Sequence, residues 1–504
     1  MMKKENLMTD NKHSNSEVDS SSSAEESVSL RERGRPGMHP ERHLSSLIHF
    51  PEMTRREFIV ALAATALATT PLLGCSGGTS QWPQPAAGCA FFTQDYALPQ
   101  TQSAKQLAEY LATEHFEYDL DGWFFMGNLV EGMETDPAPD DTGVFFIAVQ
   151  RIEIESADYP GLRVPFFPAI VGFNSASLKR YIYGAVPALD IAPLVVVTPE
   201  PWSVEVNWFT QQTPLISMSL VEGSMGAAGA VYRLVADLPD LEENKRFQAE
   251  VLLRDRLGVV NQGYGSASFF PQFLTEAQRQ MVVELFRGSV PDYLESTGDP
   301  MSCQGSYYYS LPLLDVEQFT IMHDGVTLSS GNRGTMWMDN VVQTYNQRAQ
   351  EVFSKASWLF FAIRLPEESA AIMVIQIKSA TGTLRVATLF GDHSGQTRNF
   401  ARKSIHSWDI NEIEINGVQE SIWTSQKTDL PYFMQYRIRL SSTAWPADLT
   451  ITTVRNNQEI VINNLDPSKP PTIKYEGEAS VEGTLGGRPV KGAAFLELQP
   501  VGHL

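Results

Sequence analysis

Short runs of alternating apolar and polar residues, separated by turn dipeptides, dominate this chain beyond its N-terminal quarter and restrict it to a β-rich fold. Trp202-Ser203-Val204-Glu205-Val206-Asn207-Trp208 alternates, as does Ile413-Glu414-Ile415 and, less regularly, Tyr436–Leu440. A period of two puts every second side chain on one face of a strand, so these runs suit sheets with one face in a core. Phe145–Val149, Val195–Thr198 and Ile372–Ile377 are more continuously apolar and carry β-branched residues. Asp121-Gly122, Asp324-Gly325, Asn416-Gly417 and Gly486-Gly487 supply turns. Helices are expected at Ala104–Thr113, where Leu107, Tyr110 and Leu111 share a face, and at Thr275–Phe286, behind a capping Thr275. Many short antiparallel strands with few helices predict an all-β chain of barrels or sandwiches.

Punctuation divides the chain. The stretch Ser289–Gln304 holds Pro291, Gly298, Asp299 and Pro300 and loses apolar periodicity. It suggests one β-rich domain over 95–288 and a second over 300–504. A Trp among apolar strand residues occurs in both, at Trp123 and Trp337, which is too little to define a repeat.

The N-terminal region reads as an address. Residues 1–52 are rich in Ser, Glu and Arg and poor in apolar residues, the composition of a disordered leader or of a start codon assigned too early. Arg55 and Arg56 then precede the apolar run Phe58–Leu73, which suits a signal-peptide core and falls short of the about 20 residues a spanning helix needs. Leu72-Leu73-Gly74-Cys75 resembles the bacterial lipobox, whose cysteine receives a diacylglycerol. The segment 53–74 is therefore read as a twin-arginine lipoprotein signal peptide and 75–94 as a linker. The expected partners are the twin-arginine export machinery and a membrane, held through lipid on Cys75. The expected location is an exported, membrane-anchored bacterial lipoprotein, on the periplasmic side or the cell surface.

Composition narrows the partners further. The formal net charge is −21, so a phosphate backbone repels the chain and nucleic acid is not an expected partner. With Cys75 taken by lipid, Cys89 and Cys303 are left either to pair as a disulfide outside the cytoplasm or to remain two thiols. No Cys-x-x-Cys or Cys/His cluster points to a metal, and His323, His393 and His406 fall on expected loops. Gly263-Tyr264-Gly265 reads as a turn, and no Gly-x-Ser-x-Gly elbow is present.

Tyr307-Tyr308-Tyr309-Ser310-Leu311-Pro312, a turn at Gly325 and then Gly334-Thr335-Met336-Trp337-Met338-Asp339 follow one another. This order resembles the AttH/carotenoid 1,2-hydratase (hydroxyneurosporene synthase)-like family of two-domain lipocalin-like proteins. Trp123–Leu129, Gly263 with Gly265, and Tyr475-Glu476-Gly477 through Glu497-Leu498 resemble three further segments of that pattern. The resemblance spans nearly all of 115–504, resting on order and spacing more than on any one motif. It implies two tandem lipocalin-like antiparallel β-barrels with a few short helices. The chain departs from the pattern at Asn340 and Gln262, where the family has histidines, and at Lys474-Tyr475-Glu476, which lacks its tryptophan. These losses put the activity in doubt more than the fold.

The resemblance implies cofactor-free hydration, isomerisation or cyclisation of an unsaturated hydrophobic molecule, isoprenoid- or polyketide-like. Such chemistry needs a carboxylic acid kept protonated by a dry pocket and aromatic faces to stabilise a cation. Asp339 is the candidate acid. It stands two residues from Trp337, so both side chains share a strand face, and Tyr309 is the third candidate catalytic residue. The competing reading makes Asp339 a structural hydrogen-bonding residue. Trp123, Tyr307, Tyr308, Glu476 and Glu497 are candidate ligand contacts, with core packing the alternative for the aromatics. The two glutamates would otherwise face solvent or pair with Arg364 or Arg437. A membrane-tethered carrier that binds a hydrophobic ligand without catalysis is the alternative function.

Overall fold

The computed structural model describes residues 120–132, 142–155, 163–166, 169–178, 181–185, 194–207, 213–240, 243–261, 306–343, 357–379, 382–391, 404–408, 410–462 and 472–499, together with Ala112. Arg55, Arg56, Cys75, Cys89, Cys303 and the second expected helix lie outside these residues, as does all of the first expected helix except Ala112.

Strands make up about three-quarters of the described residues. The first sheet holds β1 (Leu120–Val130), β2 (Thr142–Glu155), β3 (Arg163–Phe166), β4 (Ala169–Asn174), β5 (Ile182–Ala185), β6 (Leu194–Pro199) and β7 (Trp202–Asn207). It continues with β8 (Ile216–Glu222), β9 (Val231–Pro239), β10 (Arg246–Asp255), β11 (Val260–Asn261), β12 (Ser306–His323), β13 (Val326–Gly331) and β14 (Arg333–Gln343). Its neighbours run β5-β4-β2-β1-β14-β12-β10-β9-β8-β7-β6, all antiparallel.

The second sheet holds β15 (Ser357–Leu365), β16 (Ala370–Ser379), β17 (Gly382–Gly391), β18 (Ser404–Trp408), β19 (Ile413–Gly417), β22 (Gln435–Leu440), β23 (Ala447–Thr453), β24 (Glu459–Ile462), β25 (Thr472–Leu485) and β26 (Arg488–Gln499). A separate ribbon pairs β20 (Ile422–Thr424) with β21 (Pro431–Phe433). Among the described residues, the 3-10 turns Pro366–Glu368, Ile410–Glu412 and Gln419–Ser421 accompany this sheet.

Each sheet curls around its own core. In the first, Trp123 of β1 meets Trp202 of β7 with ring centroids 6.5 Å apart, and Gly184 of β5 bridges Asp240 just beyond β9. In the second, Phe361 of β15 meets Tyr436 of β22 at 5.3 Å. The fold is all-β, with two barrel-like antiparallel sheets.

The first sheet crosses the expected domain boundary. β10 and β12 flank the stretch 288–300 in sequence and are paired neighbours, and β14 pairs with β1. The sheets change over between Gln343 and Ser357 instead. Gly and Pro mark a turn in the chain, whereas membership of a sheet depends on non-local pairing that turn residues do not encode.

Apolar patterning explains which faces meet. In β7, Trp202, Val204 and Val206 point into the core and the residues between them are half-exposed, so the sequence alternates. β1 from Asp121 to Val130 and β2 from Gly143 to Arg151 are buried on both faces, as is β16 from Ala370 to Ile377. Their inner residues, such as Phe125, Ile147 and Val374, fill a barrel. Their outer residues are covered as well, and Phe124 on the outside of β1 touches Phe495 of β26, 6.4 Å away. The continuous apolar runs Phe145–Val149 and Ile372–Ile377 are thus strands buried twice. Val195–Thr198, in β6, is the exception: Val196 is 38% exposed.

Candidate functional site between the barrels

Period-two alternation decides which side chains reach the contact between the sheets. On β14, Met336 and Met338 enter the first core, which turns Trp337 and Asp339 outward. On β25, Tyr475, Ala479 and Val481 enter the second core, which turns Lys474, Glu476 and Glu478 outward. On β26 the outward pair is Phe495 and Glu497, and on β15 it includes Trp358 and Arg364. All of these outward residues are buried. The surface between the barrels therefore holds three acidic residues from the second sheet and one from the first.

Asp339 accepts a hydrogen bond from Trp337 Nε1 at 2.6 Å and another from the Ser310 hydroxyl on β12. Burial nevertheless pushes its carboxyl up to about 7, and the charge of Glu497 across the interface adds to the shift, while the two donors oppose it. Trp337 in turn meets Phe390 of β17 edge-on at 6.2 Å.

Glu497 accepts from Trp358 Nε1 at 2.8 Å, and Lys474 Nζ stands 3.5 Å from Oε1 of the same carboxyl and 5.6 Å over the Trp358 ring. Burial raises its carboxyl, and Lys474 and Trp358 hold it down. Glu476 lies directly opposite Glu497 in the β25–β26 ladder, on the same face. It is 1% exposed, and neither carboxyl oxygen has a hydrogen-bond partner. Burial and the neighbouring Glu497 push it well above the ordinary range. Two facing carboxyls in a dry site cannot both ionise cheaply, and Glu476, which lacks the donors that hold Glu497 down, is pushed upward by both burial and that neighbour.

Glu478 is differently placed. Both its oxygens accept from Arg364 Nη2 at 3.0 Å, and Arg364 Nε donates to Thr335 Oγ1 at 3.1 Å. Arg364 Nη2 also reaches Asn128 Oδ1 at 3.4 Å. This pair ties the second sheet to β1 and β14 of the first. Burial raises the Glu478 carboxyl, to about 7, and lowers the Arg364 guanidinium, and their bidentate contact opposes both shifts.

Four of the residues singled out from the sequence, Asp339, Trp337, Glu476 and Glu497, thus come together in one dry contact region. They line the seam between the barrels rather than the mouth of one. Tyr309 and Trp123 do not join them: both are buried in the first core, on the opposite faces of their strands. For Tyr307 and Tyr308 the backbone is described, paired with Val342 and Val341. Neither arginine expected beside the glutamates serves there, since Arg364 holds Glu478 and Arg437 pairs with Asp448 at the surface. Lys474, Trp358, Ser310 and Glu478 were not anticipated. Lys-x-Glu-x-Glu along β25 reads as a solvated outer face, and only the second barrel makes it an interior.

No protein-family model matches the chain, and no curated protein matches it in sequence. Among solved structures, kievitone hydratase from Nectria haematococca is similar at a TM-score of 0.43 and 11% sequence identity, over 75% of this chain and 88% of that one.

Proposed function

We propose that the seam between the barrels is an active site, in which Asp339 protonates a carbon–carbon double bond of an unsaturated hydrophobic molecule. One observation carries the reading: a buried carboxyl poised near neutrality beside aromatic rings, with the charge of Glu497 acting on it across the seam. An acid with a value of about 7 is partly protonated at physiological pH, which suits general acid catalysis. The Asp339 O–H bond breaks as a C–H bond forms at one alkene carbon, leaving a cation at the other. Trp337 and Phe390 are the aromatic rings that would stabilise that cation. Water, the co-reactant, then attacks and forms the C–O bond, and its proton returns to the Asp339 carboxylate. Where water is excluded, loss of a neighbouring proton yields an isomerised or cyclised alkene instead. The chemistry is of the cofactor-free hydratase, isomerase or cyclase type that the family resemblance implies, and no step calls on a cofactor.

The test is product formation from a panel of isoprenoid and polyketide-like alkenes in H₂¹⁸O, using the chain from Cys75 onward. Asp339→Asn should lower turnover by about 10²–10⁴-fold, the ordinary contribution of a positioned acid. Turnover that is unchanged in that variant sinks the catalytic assignment.

A carrier without catalysis is the second reading. Trp202 Nε1 and Asn340 Oδ1 are buried in the first barrel without hydrogen-bond partners, which favours a ligand inside that barrel. Under it, Asp339→Asn leaves ligand affinity unchanged. We also propose that the chain is exported by the twin-arginine route and tethered by lipid on Cys75. Among the described residues no helix is long and apolar enough to cross a membrane.

A further inference from the structure

Every charged side chain on the outward face of β25 and β26 is engaged except one. Glu478 is held by Arg364, and Glu497 by Trp358 and Lys474. Glu476 stands between them in the same layer, buried, with both carboxyl oxygens unpartnered. Its backbone is fixed: the carbonyl of Glu476 accepts from the Tyr181 hydroxyl, which reaches over from the first barrel, and Tyr181 packs on Phe146 at 5.9 Å. The surroundings on that side are apolar, with Phe146 against Phe124 and Phe124 against Phe495. A buried polar group without a partner destabilises a fold, so native structures rarely keep one unless something else completes it.

We propose that Glu476 receives an oxygen of the ligand, so that the molecule held between the barrels is an oxygenated hydrophobe, carrying a hydroxyl or carbonyl group, and not a pure hydrocarbon. The inference rests on the reading of the seam as a ligand site and adds the substrate class to it. A protonated carboxyl presents one O–H donor and one carbonyl acceptor side by side. A ligand hydroxyl completes both, and a carbonyl completes the donor. A hydrocarbon of the same shape leaves both unmade. Sites built to hydrogen-bond a substrate group reject analogues lacking it far more strongly than apolar pockets reject a change in size. Glu476 would also orient the molecule, setting the double bond at a defined distance along the seam relative to Asp339.

Two matched pairs test this: farnesol against farnesene, and 4-nonylphenol against nonylbenzene, measured by displacement of a fluorescent apolar probe from the chain beginning at Cys75. The oxygenated member of at least one pair should bind at least about tenfold more tightly to the wild type. Glu476→Gln should keep most of that preference, because the amide still donates and accepts. Glu476→Leu should abolish it while binding the hydrocarbon as well or better. Glu476→Leu should also raise Tm by about 2–4 °C, because it removes an unsatisfied buried carboxyl. Equal affinities in both pairs, no binding of either pair, a preference that survives Glu476→Leu, or a lowered Tm in that variant would overturn the proposal. The catalytic assignment fails separately, on the turnover of Asp339→Asn, and that variant should retain the oxygenated-ligand preference.

Discussion

Three of the four outward acidic residues are held by named donors, and their state follows from those donors and from burial. Asp339, Glu476, Glu478 and Glu497 are all shifted upward, with burial the largest cause in each. The unfolded chain ionises its carboxylates near pH 4, whereas the folded chain keeps Asp339 protonated up to about 7. Between those values the folded state binds more protons, so stability is greatest below about pH 4 for this group and falls as pH rises through 7. For Asp339 the shift corresponds to about 4 kcal/mol at most. Urea unfolding across pH 5 to 8 should show a falling midpoint, and Asp339→Asn should flatten part of the slope. A midpoint that rises over that interval contradicts the assignment. At this scale the sequence was informative in part: Trp337-x-Asp339 shares a strand face by period alone, and Glu497 is an acid in an otherwise apolar stretch of β26, whereas Glu476 sits in the Lys-x-Glu-x-Glu run of β25. Lys474 and Trp358 carried no such mark, because a lysine and a tryptophan at strand positions read equally well as solvated or core residues.

Strands β1, β14, β15 and β25 are joined by one buried group. Arg364 on β15 connects Glu478 on β25 with Asn128 on β1 and Thr335 on β14. Removing one member leaves the other buried and unpaired, so Arg364→Met should cost about 3–5 kcal/mol in chemical unfolding. The double variant Arg364→Met/Glu478→Met should recover a large part of that loss, and a double-mutant cycle measures how much. A second element-scale constraint lies in the β1–β14 ladder. Gly334 has φ +133°, and a Cβ there would stand 2.2 Å from the backbone oxygen of Asn128. Gly334→Ala should therefore destabilise the chain by at least about 1–3 kcal/mol, and an unchanged Tm would show that the ladder can shift. Strands of this kind were legible from alternation and turn chemistry. Their order in the sheet was not, since β1 pairs with β14 across more than two hundred intervening residues.

Over the whole molecule, the two barrels share an interior of buried rings and ionic groups, so neither outer face is complete without the other. Thermal unfolding followed by near-UV and far-UV signals should accordingly give one coincident transition, and two resolved transitions would show that the seam contributes little. Outside the described residues, Cys75→Ser should move the protein from the membrane to the soluble fraction, with loss of the lipid mass on the mature N-terminus. The sequence by itself determined the all-β class, the turns at Asp324-Gly325 and Gly486-Gly487, and which residues share a strand face, because those depend on local periodicity and backbone chemistry; Asp121-Gly122 and Asn416-Gly417, expected as turns, lie instead within β1 and β19, where ladder pairing overrides the local turn preference. Alternating runs such as Trp202–Asn207 marked strands buried on one face, whereas continuous apolar runs did not separate the doubly buried parts of β2 and β16 from β6, where Val196 is exposed. Only the tertiary structure decided that β14, β25 and β26 turn their acidic faces toward each other. Period two states which side chains lie together but not what lies opposite them, and the energy of a carboxyl depends on what lies opposite.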